Sequence, residues 1–474
     1  MARVLFPHSY FLRFDPKQWR AQRPYAPLAT LFAASYLREH GHEVRFHDVM
    51  FAESAQEVMP VLETFNPDIM VIYDDGFNYL TKMCLTNMRD AACEMIGMAK
   101  ASRARVLVSS SDSTDRSEIY LDAGADAIIV GEAEDTLLKA VEAFSIETPE
   151  IQDIDGLRYY AEGSIHNNRP RKNETDLDKF PLPAWDLIDI EAYRSRWMKS
   201  MGYFSINQVT TRGCPFKCNW CAKPIYGNRY NSRSPENVVK ELVYLGDAYG
   251  FDHVWFCDDI FGLKPGWVKR FSELVQEHKL SFKFNIQSRA DLLVKENTVA
   301  ELASAGACEV WIGAESGSQK VLDAMDKGTT VKQIEQSTEL MKKAGIKPCF
   351  FLQFGYPVEE QDDIKATLDM VFRLMPHDIG VSVSYPLPGT KFYENVKSQM
   401  SDKQNWTDSD ELLVMFEGTY SSDFYKKLQR YFHHEFRKRK ALEAIKNGDP
   451  SRIVEWVFRI PQALISKSRI AQYA

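Results

Sequence analysis

The segment Gly213-Cys-Pro-Phe-Lys-Cys-Asn-Trp-Cys221 brings three cysteines, Cys214, Cys218 and Cys221, into nine residues. It follows an apolar, strand-like stretch at 204–211. A structural zinc site normally closes four ligands, often as two pairs, whereas a four-iron cube held by three cysteines leaves one iron open. Incidental cysteines scatter through cores and do not gather beside glycine and proline at the end of a strand. The pattern therefore predicts a metal cluster with an open position for chemistry.

The spacing Cys-x3-Cys-x2-Cys after a strand resembles the signature of the radical S-adenosylmethionine (SAM) enzymes. The resemblance implies a [4Fe-4S] cluster bound by Cys214, Cys218 and Cys221, with the amino and carboxylate groups of SAM on the fourth iron. It also implies that the reduced cluster cleaves SAM to a 5′-deoxyadenosyl radical, after receiving an electron from an external reductant such as flavodoxin or ferredoxin. Trp220 matches the aromatic residue that the family places near the adenine.

Composition is that of a large globular enzyme. The chain has 474 residues, 45% hydrophobic and 12% aromatic, enough for two or three domains. Lys and Arg number 58 against 66 Asp and Glu, and the net charge of -8 argues against a general nucleic-acid-binding surface. The chain starts without a signal-peptide core, and no run of about 18 apolar residues occurs. We expect a cytoplasmic protein acting on a small molecule, without membrane association, in the reducing compartment that an oxygen-sensitive cluster requires.

Residues 1–145 alternate short β-rich runs with helical patterns. Residues 28–41 have helical periodicity and end on a glycine, and residues 83–98 are similar. This alternation predicts an α/β domain with a doubly wound, Rossmann-like parallel sheet, which binds ligands beyond the carboxyl ends of its strands. The turn after the first strand lacks Gly-x-Gly-x-x-Gly, which argues against a nicotinamide cofactor. The strand-like runs are Val4–Phe6, Val44–Phe46, Ile69–Tyr73, Val106–Val108 and Ala127–Val130.

The turns after the last two of these runs resemble those of the cobalamin-binding domain that precedes many radical SAM domains. They are Ser109-Ser-Ser-Asp112 and Gly131-Glu132. The resemblance implies a cobalamin cofactor whose nucleotide tail is flanked by Ser110, Gly131 and Glu132. The sequence has no Asp-x-His-x-x-Gly, so the resemblance supplies no histidine as the lower axial ligand of cobalt. A Rossmann-like domain that only shapes the substrate cleft is the alternative.

Residues 146–200 lose the regular alternation. Glu162-Gly163 predicts a hairpin turn, and the prolines of Phe180-Pro-Leu-Pro-Ala184 predict an extended linker, because each proline keeps its predecessor out of a helix. From 201 to 400, six strand-like runs are each followed by a helical pattern, which predicts a partial (β/α)6 TIM barrel. The runs are Ser205–Thr211, His253–Cys257, Phe282–Gln287, Glu309–Gly313, Pro348–Phe354 and Ile379–Tyr385.

Polar residues follow several of these barrel strands. Barrel active sites lie at the carboxyl ends of the strands, which is where Asp258, Glu315 and Ser316 stand. By resemblance to the cobalamin-dependent radical SAM group, these three residues contact SAM. The alternative is that they are ordinary turn residues or N-caps, which acidic and hydroxyl residues before helices usually are.

Residues 401–474 form a helical region of mixed charge. Aromatic residues recur at helical spacing within 425–440 and again within 453–458. We expect this stripe to pack into a core, against the open side of the barrel. Because basic residues are interspersed with apolar ones, docking to a membrane surface or to a lipid-like substrate is the alternative.

The whole arrangement resembles the radical SAM group that contains the anaerobic magnesium-protoporphyrin monomethyl ester cyclase and cobalamin-dependent C-methyltransferases. The resemblance implies that the 5′-deoxyadenosyl radical abstracts hydrogen from an unactivated carbon, which then takes a methyl group from methylcobalamin. Cyclisation, oxygenation or rearrangement of that radical is the first alternative. The others are a methylthiotransferase, which needs a second upstream cysteine trio where only Cys84 and Cys93 occur, and a non-catalytic iron–sulfur sensor. The sequence specifies neither the substrate nor a catalytic side chain.

Overall fold

The computed structural model describes residues 1–146 and 148–470. Contacts divide the chain into two compact units. The first contains Met1–Phe216, Ala222–Phe284 and Asn405–Glu411; the second contains Lys217–Cys221, Asn285–Gln404 and the chain from Leu412 onward. Residue 147 of the predicted linker and residues 471–474 of the predicted C-terminal region lie outside the described residues. The four-part division at 145, 200 and 400 stays a prediction.

A seven-stranded sheet in the first unit has the order β2-β1-β3-β4-β5-β6-β7. Strands β1 to β5 pair in parallel, which confirms the doubly wound sheet. The hairpin β6–β7 adds two antiparallel strands and turns at Glu162-Gly163, where both residues have positive φ. The sheet therefore extends into the predicted linker, because this hairpin pairs with the edge strand β5. The strands are β1 (Arg3–Pro7), β2 (Glu43–His47), β3 (Ile69–Tyr73), β4 (Arg105–Ser109), β5 (Ala127–Ile129), β6 (Leu157–Ala161) and β7 (Ser164–Asn167).

A second sheet has six strands in the order β15-β14-β13-β12-β11-β8. The pairs β8–β11, β13–β14 and β14–β15 are parallel, and a helix follows each strand, as the predicted partial (β/α)6 barrel requires. A separate antiparallel pair, β9 (Thr211–Arg212) with β10 (Asn231–Ser232), flanks the cysteine segment. The six strands are β8 (Ser205–Gln208), β11 (His253–Phe256), β12 (Lys283–Ser288), β13 (Ala307–Glu315), β14 (Lys347–Phe354) and β15 (Asp378–Val383).

Helices alternate with the strands of both sheets. Their starts follow from local chemistry: Ser234 accepts a hydrogen bond from the backbone N–H of Asn237, and Thr330 forms a capping box with Gln333. The α-helices are α1 (Pro16–Ala21), α2 (Leu28–Glu39), α3 (Met59–Phe65), α4 (Tyr79–Lys82), α5 (Thr86–Ala101), α6 (Ser111–Asp115), α7 (Ser117–Asp122), α8 (Glu134–Phe144), α9 (Ile190–Met201), α10 (Pro235–Ala248), α11 (Trp267–Glu277), α12 (Ala290–Leu293), α13 (Thr298–Ser304), α14 (Gln319–Ala324), α15 (Val331–Lys343), α16 (Gln361–Leu374), α17 (Lys391–Val396), α18 (Ser422–Lys446) and α19 (Ile453–Ile470). Short 3-10 helices occur at Leu12–Phe14, Ala55–Val58, Leu177–Lys179, Trp185–Leu187, Lys397–Gln399 and Pro450–Arg452.

The two C-terminal helices differ in how they use their apolar residues. Helix α18 buries Phe424, Tyr425, Leu428, Phe432 and Phe436, which confirms the expectation that its aromatic stripe is core. Helix α19 does not follow that expectation, because most of the apolar residues within 453–458 are exposed. The reason is that α19 packs on α18 through one face only.

A buried glutamate follows β14 and gives a stability prediction. Glu359 is fully buried and accepts a hydrogen bond from Gly355 N–H through Oε2 at 2.6 Å, while Oε1 has no partner among the described residues. Burial raises the pKa of Glu359 from 4.5 to about 8, the Gly355 N–H lowers it, and Asp363 raises it further. Glu359 therefore stays protonated in the folded protein at pH values where the unfolded chain has lost the proton. Stability from this group is complete below pH 4.5 and is lost as the pH rises to about 8.

We predict that Glu359→Gln stabilises the protein by about 1 to 3 kcal/mol at pH 8 and has little effect below pH 4.5, because glutamine keeps the acceptor and carries no titrating charge. Thermal unfolding between pH 4 and pH 9 measures the difference. Glu296→Gln, at an exposed position in the same unit, should change stability little at any pH. A stability difference for Glu359→Gln that is independent of pH would contradict the prediction.

Candidate active site

The three clustered cysteines lie in the irregular segment between β9 and β10. Cys214, Cys218 and Cys221 are half-buried, whereas Cys257 and Cys349 lie in the core. Burial raises the pKa of the Cys257 and Cys349 thiols, which keeps these residues as small apolar groups. The clustered cysteines are accessible to a ligand.

Glycine is required directly before the first cysteine. Gly213 has φ +79°, in the left-handed region, and a Cβ at this position would overlap the carbonyl oxygen of Arg229. The close approach of these two backbone segments fixes where Cys214 begins. This glycine is part of the quoted motif, but its steric reason appears only in the tertiary structure.

A buried ion cluster holds the residue before that glycine. Arg212 pairs with Glu132, and its Nη2 lies 2.6 Å from Oε1 of Glu134. The Phe180 ring stacks against the guanidinium at 4.5 Å. Burial lowers the pKa of Arg212, but the two carboxylates outweigh it and the pKa is raised; burial raises the pKa of Glu132, which Arg212 only partly offsets. The loop after β5 and the start of the cysteine segment are thereby tied together within the first unit.

Asp258 supports the same segment from the end of β11. It is fully buried, and its carboxylate accepts four hydrogen bonds of 2.7–2.9 Å, from the backbone N–H and the hydroxyl of both Thr210 and Thr211. Burial raises the pKa of Asp258 to about 6, and these hydrogen bonds oppose the shift. Four bonds fill the usual acceptor capacity of a carboxylate. Asp258 therefore positions the strand that leads into the cysteine segment, and a SAM contact through it stays a prediction.

The second unit gathers cations beside Cys218. Nη1 of Arg289 donates to Cys218 Sγ at 3.7 Å, and its Nε lies 2.9 Å from Asp291 Oδ1. The buried Lys327 ammonium lies 2.7 Å from Glu315 Oε1. Burial lowers the pKa of Lys327, but Glu315 and Cys218 outweigh this effect and the pKa is raised. Two positively charged side chains therefore lie near the Cys218 sulfur.

Trp220 belongs to the same group of residues. The Lys327 ammonium lies 5.7 Å from the centre of its ring, and the indole packs against the core formed by Tyr356, Phe392 and their neighbours. Its buried Nε1 has no hydrogen-bond partner among the described residues. A buried donor of this kind is uncommon, and a polar ligand at the site would satisfy it.

The strand end that carries Glu315 and Ser316 is unusual. Glu315 has φ +57°, at a register shift between β13 and β14. A Cβ on Gly313 would overlap the Lys327 ammonium and would lie 2.6 Å from Glu315 Oε1, so glycine makes room for this pair. Ser316 is fully buried, and its hydroxyl lies 3.0 Å from that of Thr367. A cofactor contact through Ser316 stays a prediction.

Asn219, between the second and third cysteines, anchors the segment in the second unit. Its side-chain amide donates to the Ala324 carbonyl at 2.7 Å and accepts from the Tyr356 hydroxyl at 3.0 Å. Its backbone N–H bonds Met325, and its backbone carbonyl accepts from the N–H of Phe392. Sequence reasoning missed both Asn219 and Lys327. Asn219 lay inside the motif without an assigned role, and Lys327 follows a short helix with no distinguishing pattern.

The other predicted cofactor residues lie at the carboxyl edge of the seven-stranded sheet. Ser110 caps α6 and accepts from the Ser113 N–H at 2.8 Å. Gly131 has φ +84°, and the Glu132 carboxylate also accepts from the Glu174 N–H. The order β2-β1-β3-β4-β5 reverses direction between β1 and β3, where such sheets bind ligands.

A small pocket opens at this reversal, and Asp112 of the predicted cobalamin-binding turn lines it. Asp112 there forms a bidentate pair with Arg89 at 2.5 and 2.6 Å and accepts from the Tyr120 hydroxyl at 2.7 Å. Burial is the main cause that raises the pKa of Tyr120. The residues that line this pocket are Ser9, Tyr10, Asp74, Leu80, Thr81, Cys84, Leu85, Met88, Arg89, Asp112 and Tyr120.

The donor set fits an iron–sulfur cluster. Three half-buried cysteines lie within nine residues, and a guanidinium donates a hydrogen bond to the sulfur of one of them. Cysteine sulfurs in a cationic environment suit the binding of such a cluster. Among the described residues, no three His, Cys, Asp or Glu side chains converge where they could hold a single metal ion. A cube takes one cysteine per iron, so its ligands need not converge on a point.

The proteins that resemble this chain include the following three relatives. An uncharacterized methyltransferase of Pyrococcus horikoshii is 27% identical over 388 residues, 80% of each chain. A protein of Methanocaldococcus jannaschii named as a methylthiotransferase is 29% identical over 349 residues, 70% of each chain. The anaerobic magnesium-protoporphyrin IX monomethyl ester cyclase of Cereibacter sphaeroides is 23% identical over 287 residues, 58% of this chain and 45% of the cyclase.

The solved structures share the fold. The radical S-adenosylmethionine methyltransferase TsrM of Kitasatospora setae has a TM-score of 0.69 at 18% identity, over 84% of this chain and 76% of TsrM. The cobalamin-dependent S-adenosylmethionine radical enzyme OxsB has a TM-score of 0.73 at 17% identity, over 98% of this chain and 72% of OxsB. Residues 209–371 match the Radical SAM superfamily. These residues are therefore a radical SAM domain.

Proposed function

We propose that the protein is a cobalamin-dependent radical SAM methyltransferase that methylates an unactivated carbon of a small molecule. The observation that carries the proposal is the cysteine segment beside Arg289 and Lys327, in a chain that shares its fold over 98% of its length with a cobalamin-dependent radical enzyme. When bound, the cluster supplies the electron that cleaves SAM, and cobalamin carries the methyl group. Cyclisation, oxygenation or rearrangement is a distinct outcome of the same radical.

The cysteine segment, together with residues of the second unit, would hold the cluster and SAM. Cys214, Cys218 and Cys221 are the proposed iron ligands, and Arg289 keeps the Cys218 sulfur in place while balancing its charge. Lys327 holds Glu315 at the carboxyl end of β13, with the indole of a tryptophan nearby. A carboxylate here accepts hydrogen bonds from SAM, and an indole offers a flat apolar surface to the adenine.

The first unit supplies the residues that would hold cobalamin. Ser110 and Gly131 are proposed contacts of its nucleotide tail, at the edge where doubly wound sheets bind ligands. Glu132 already has Arg212 and the Glu174 N–H as partners, so a cobalamin contact through its carboxylate competes with them. We also propose an external reductant such as flavodoxin or ferredoxin, and a cytoplasmic location.

The proposal is tested by anaerobic reconstitution. Purified protein with iron, sulfide, dithionite and SAM should release 5′-deoxyadenosine, and the electron paramagnetic resonance signal of the reduced cluster should change when SAM is added. Hydroxocobalamin should co-elute with the protein in gel filtration. If no 5′-deoxyadenosine is released, the enzyme proposal is refuted and the alternative of a non-catalytic iron–sulfur sensor is favoured. Release without bound corrin would refute the cobalamin dependence and leave a domain that only shapes the cleft.

A methylthiotransferase is the second candidate, because one relative carries that name. Such an enzyme needs a second cluster, and the first third of the chain offers only Cys84 and Cys93 as ligands. Cys84 is buried, and burial raises its pKa well above the usual value, so it is a poor thiolate ligand. Iron analysis separates the two functions: the methyltransferase should bind four irons per chain, and the methylthiotransferase eight.

A further inference from the structure

Helix α19 exposes an apolar face that no other described element covers. The exposed residues lie within about 140° of the helix circumference at 100° per residue. Exposed apolar side chains normally occur singly, and a row on one helix face marks an interaction surface. We call this row the α19 face. It consists of Ile453, Val454, Val457, Phe458, Leu464 and Ile465, which are 46–67% exposed.

The α19 face is not used for folding against α18. The side of α19 that contacts α18 carries half-buried Trp456 and Ile460 and buried Ala463. His434 of α18 hydrogen-bonds Ser466 at 2.9 Å on this same side. One side of α19 therefore packs on α18, and the α19 face on the other side is exposed.

The two helices are basic in an otherwise acidic protein. Residues 422–470 contain 12 Lys and Arg against 5 Asp and Glu, a net charge of +7, whereas the whole chain carries -8. Exposed basic residues include Arg437 and Lys446 on α18 and Lys467 on α19. Positive charge beside an apolar helix face is the pattern of helices that lie in a membrane interface.

We propose that the α19 face binds the surface of an anionic lipid membrane, with α19 lying in the plane of the interface. A second copy of the chain would bring another +7 surface against the first and be repelled, whereas anionic headgroups attract it. No helix in the described residues is long and apolar enough to cross a bilayer, and an interfacial helix does not need to be. The aromatic residues of α18 are thus part of a core, whereas the apolar residues of α19 are proposed to dock to a membrane surface.

Vesicle flotation of the full-length protein tests this binding. The protein should float with vesicles of phosphatidylcholine that contain about 30 mol% phosphatidylglycerol, an anionic lipid. Vesicles of pure phosphatidylcholine should bind about tenfold less protein. Val457→Glu/Phe458→Glu should lower partitioning to the anionic vesicles about tenfold or more, because two charges enter the apolar boundary. Lys467→Glu should lower partitioning to the anionic vesicles by a smaller factor. A higher salt concentration should lower the partitioning of the wild-type protein, because salt screens the attraction between charges.

A charge-matched control separates this effect from a change in net charge. Tyr244→Glu/Leu340→Glu places two carboxylates at exposed apolar positions outside α19 and should bind nearly as wild type. If the glutamate variant of the α19 face does not fold, Leu464→Gln/Ile465→Gln replaces it. The proposal would be overturned if the wild-type protein did not bind anionic vesicles, or if the variants of the α19 face bound them as strongly as wild type. A wild-type dimer that Val457→Glu/Phe458→Glu converts to a monomer would also overturn it, because a second copy would then cover the face.

Discussion

Substituting Cys218 with alanine should abolish cluster binding and SAM cleavage together. Cys218 is the middle cysteine of the motif, and its sulfur is the one that accepts the hydrogen bond from Arg289. Two remaining cysteines cannot hold a cube that needs three protein ligands to leave one iron for SAM. We expect iron content to fall to background after anaerobic reconstitution and 5′-deoxyadenosine formation to fall by about 100-fold or more.

Cys93→Ala is the matched control for this substitution. Cys93 is also half-buried, but it lies on α5, outside the motif. Burial raises its pKa to about 11, so it is a thiol at neutral pH. The control should keep the iron content and turnover of wild type. Turnover by the Cys218 variant at a tenth of the wild-type rate or more would refute the cluster assignment.

The second large effect concerns the buried ion cluster of Arg212. Arg212→Ala leaves the carboxylates of Glu132 and Glu134 buried without their cation. Removing one partner of a buried ion pair costs about 3–5 kcal/mol, because the remaining charge has lost both water and its counter-ion. We expect the free energy of unfolding, from urea titration of the reduced protein, to fall by this amount. Iron uptake should fall as well, since Arg212 is two residues from Cys214.

Two further variants make the Arg212 result specific. Arg38→Ala removes an ion pair with Asp186 in which the two side chains are 43% and 53% exposed. This change should lower the free energy of unfolding by less than about 1 kcal/mol. Adding Glu132→Gln and Glu134→Gln to the Arg212 variant should recover part of the lost stability, because the buried charges are then gone. An Arg212→Ala protein within about 1 kcal/mol of wild type would contradict the buried-cluster interpretation.

The sequence by itself determined the chemistry and the order of elements. Three cysteines within nine residues predict a ligand set, because spacing in the chain limits the distance between their sulfurs. Short β-rich runs between helical patterns predicted both sheets, because strands of a parallel sheet are buried on both faces and are therefore nearly continuous in apolar residues. The six strands of the second sheet were predicted to within a few residues, whereas the short strand β10 was not predicted.

Only the tertiary structure decided which charges meet and which apolar residues stay exposed. The contact of Arg212 with Glu132 joins residues 80 positions apart, and Lys327 reaches Glu315 because β13 ends in a left-handed residue. The aromatic residues of α18 and the apolar residues of α19 have similar patterns, yet one set is core and the other exposed. Periodicity identifies a helix face, but what covers that face depends on how distant elements pack.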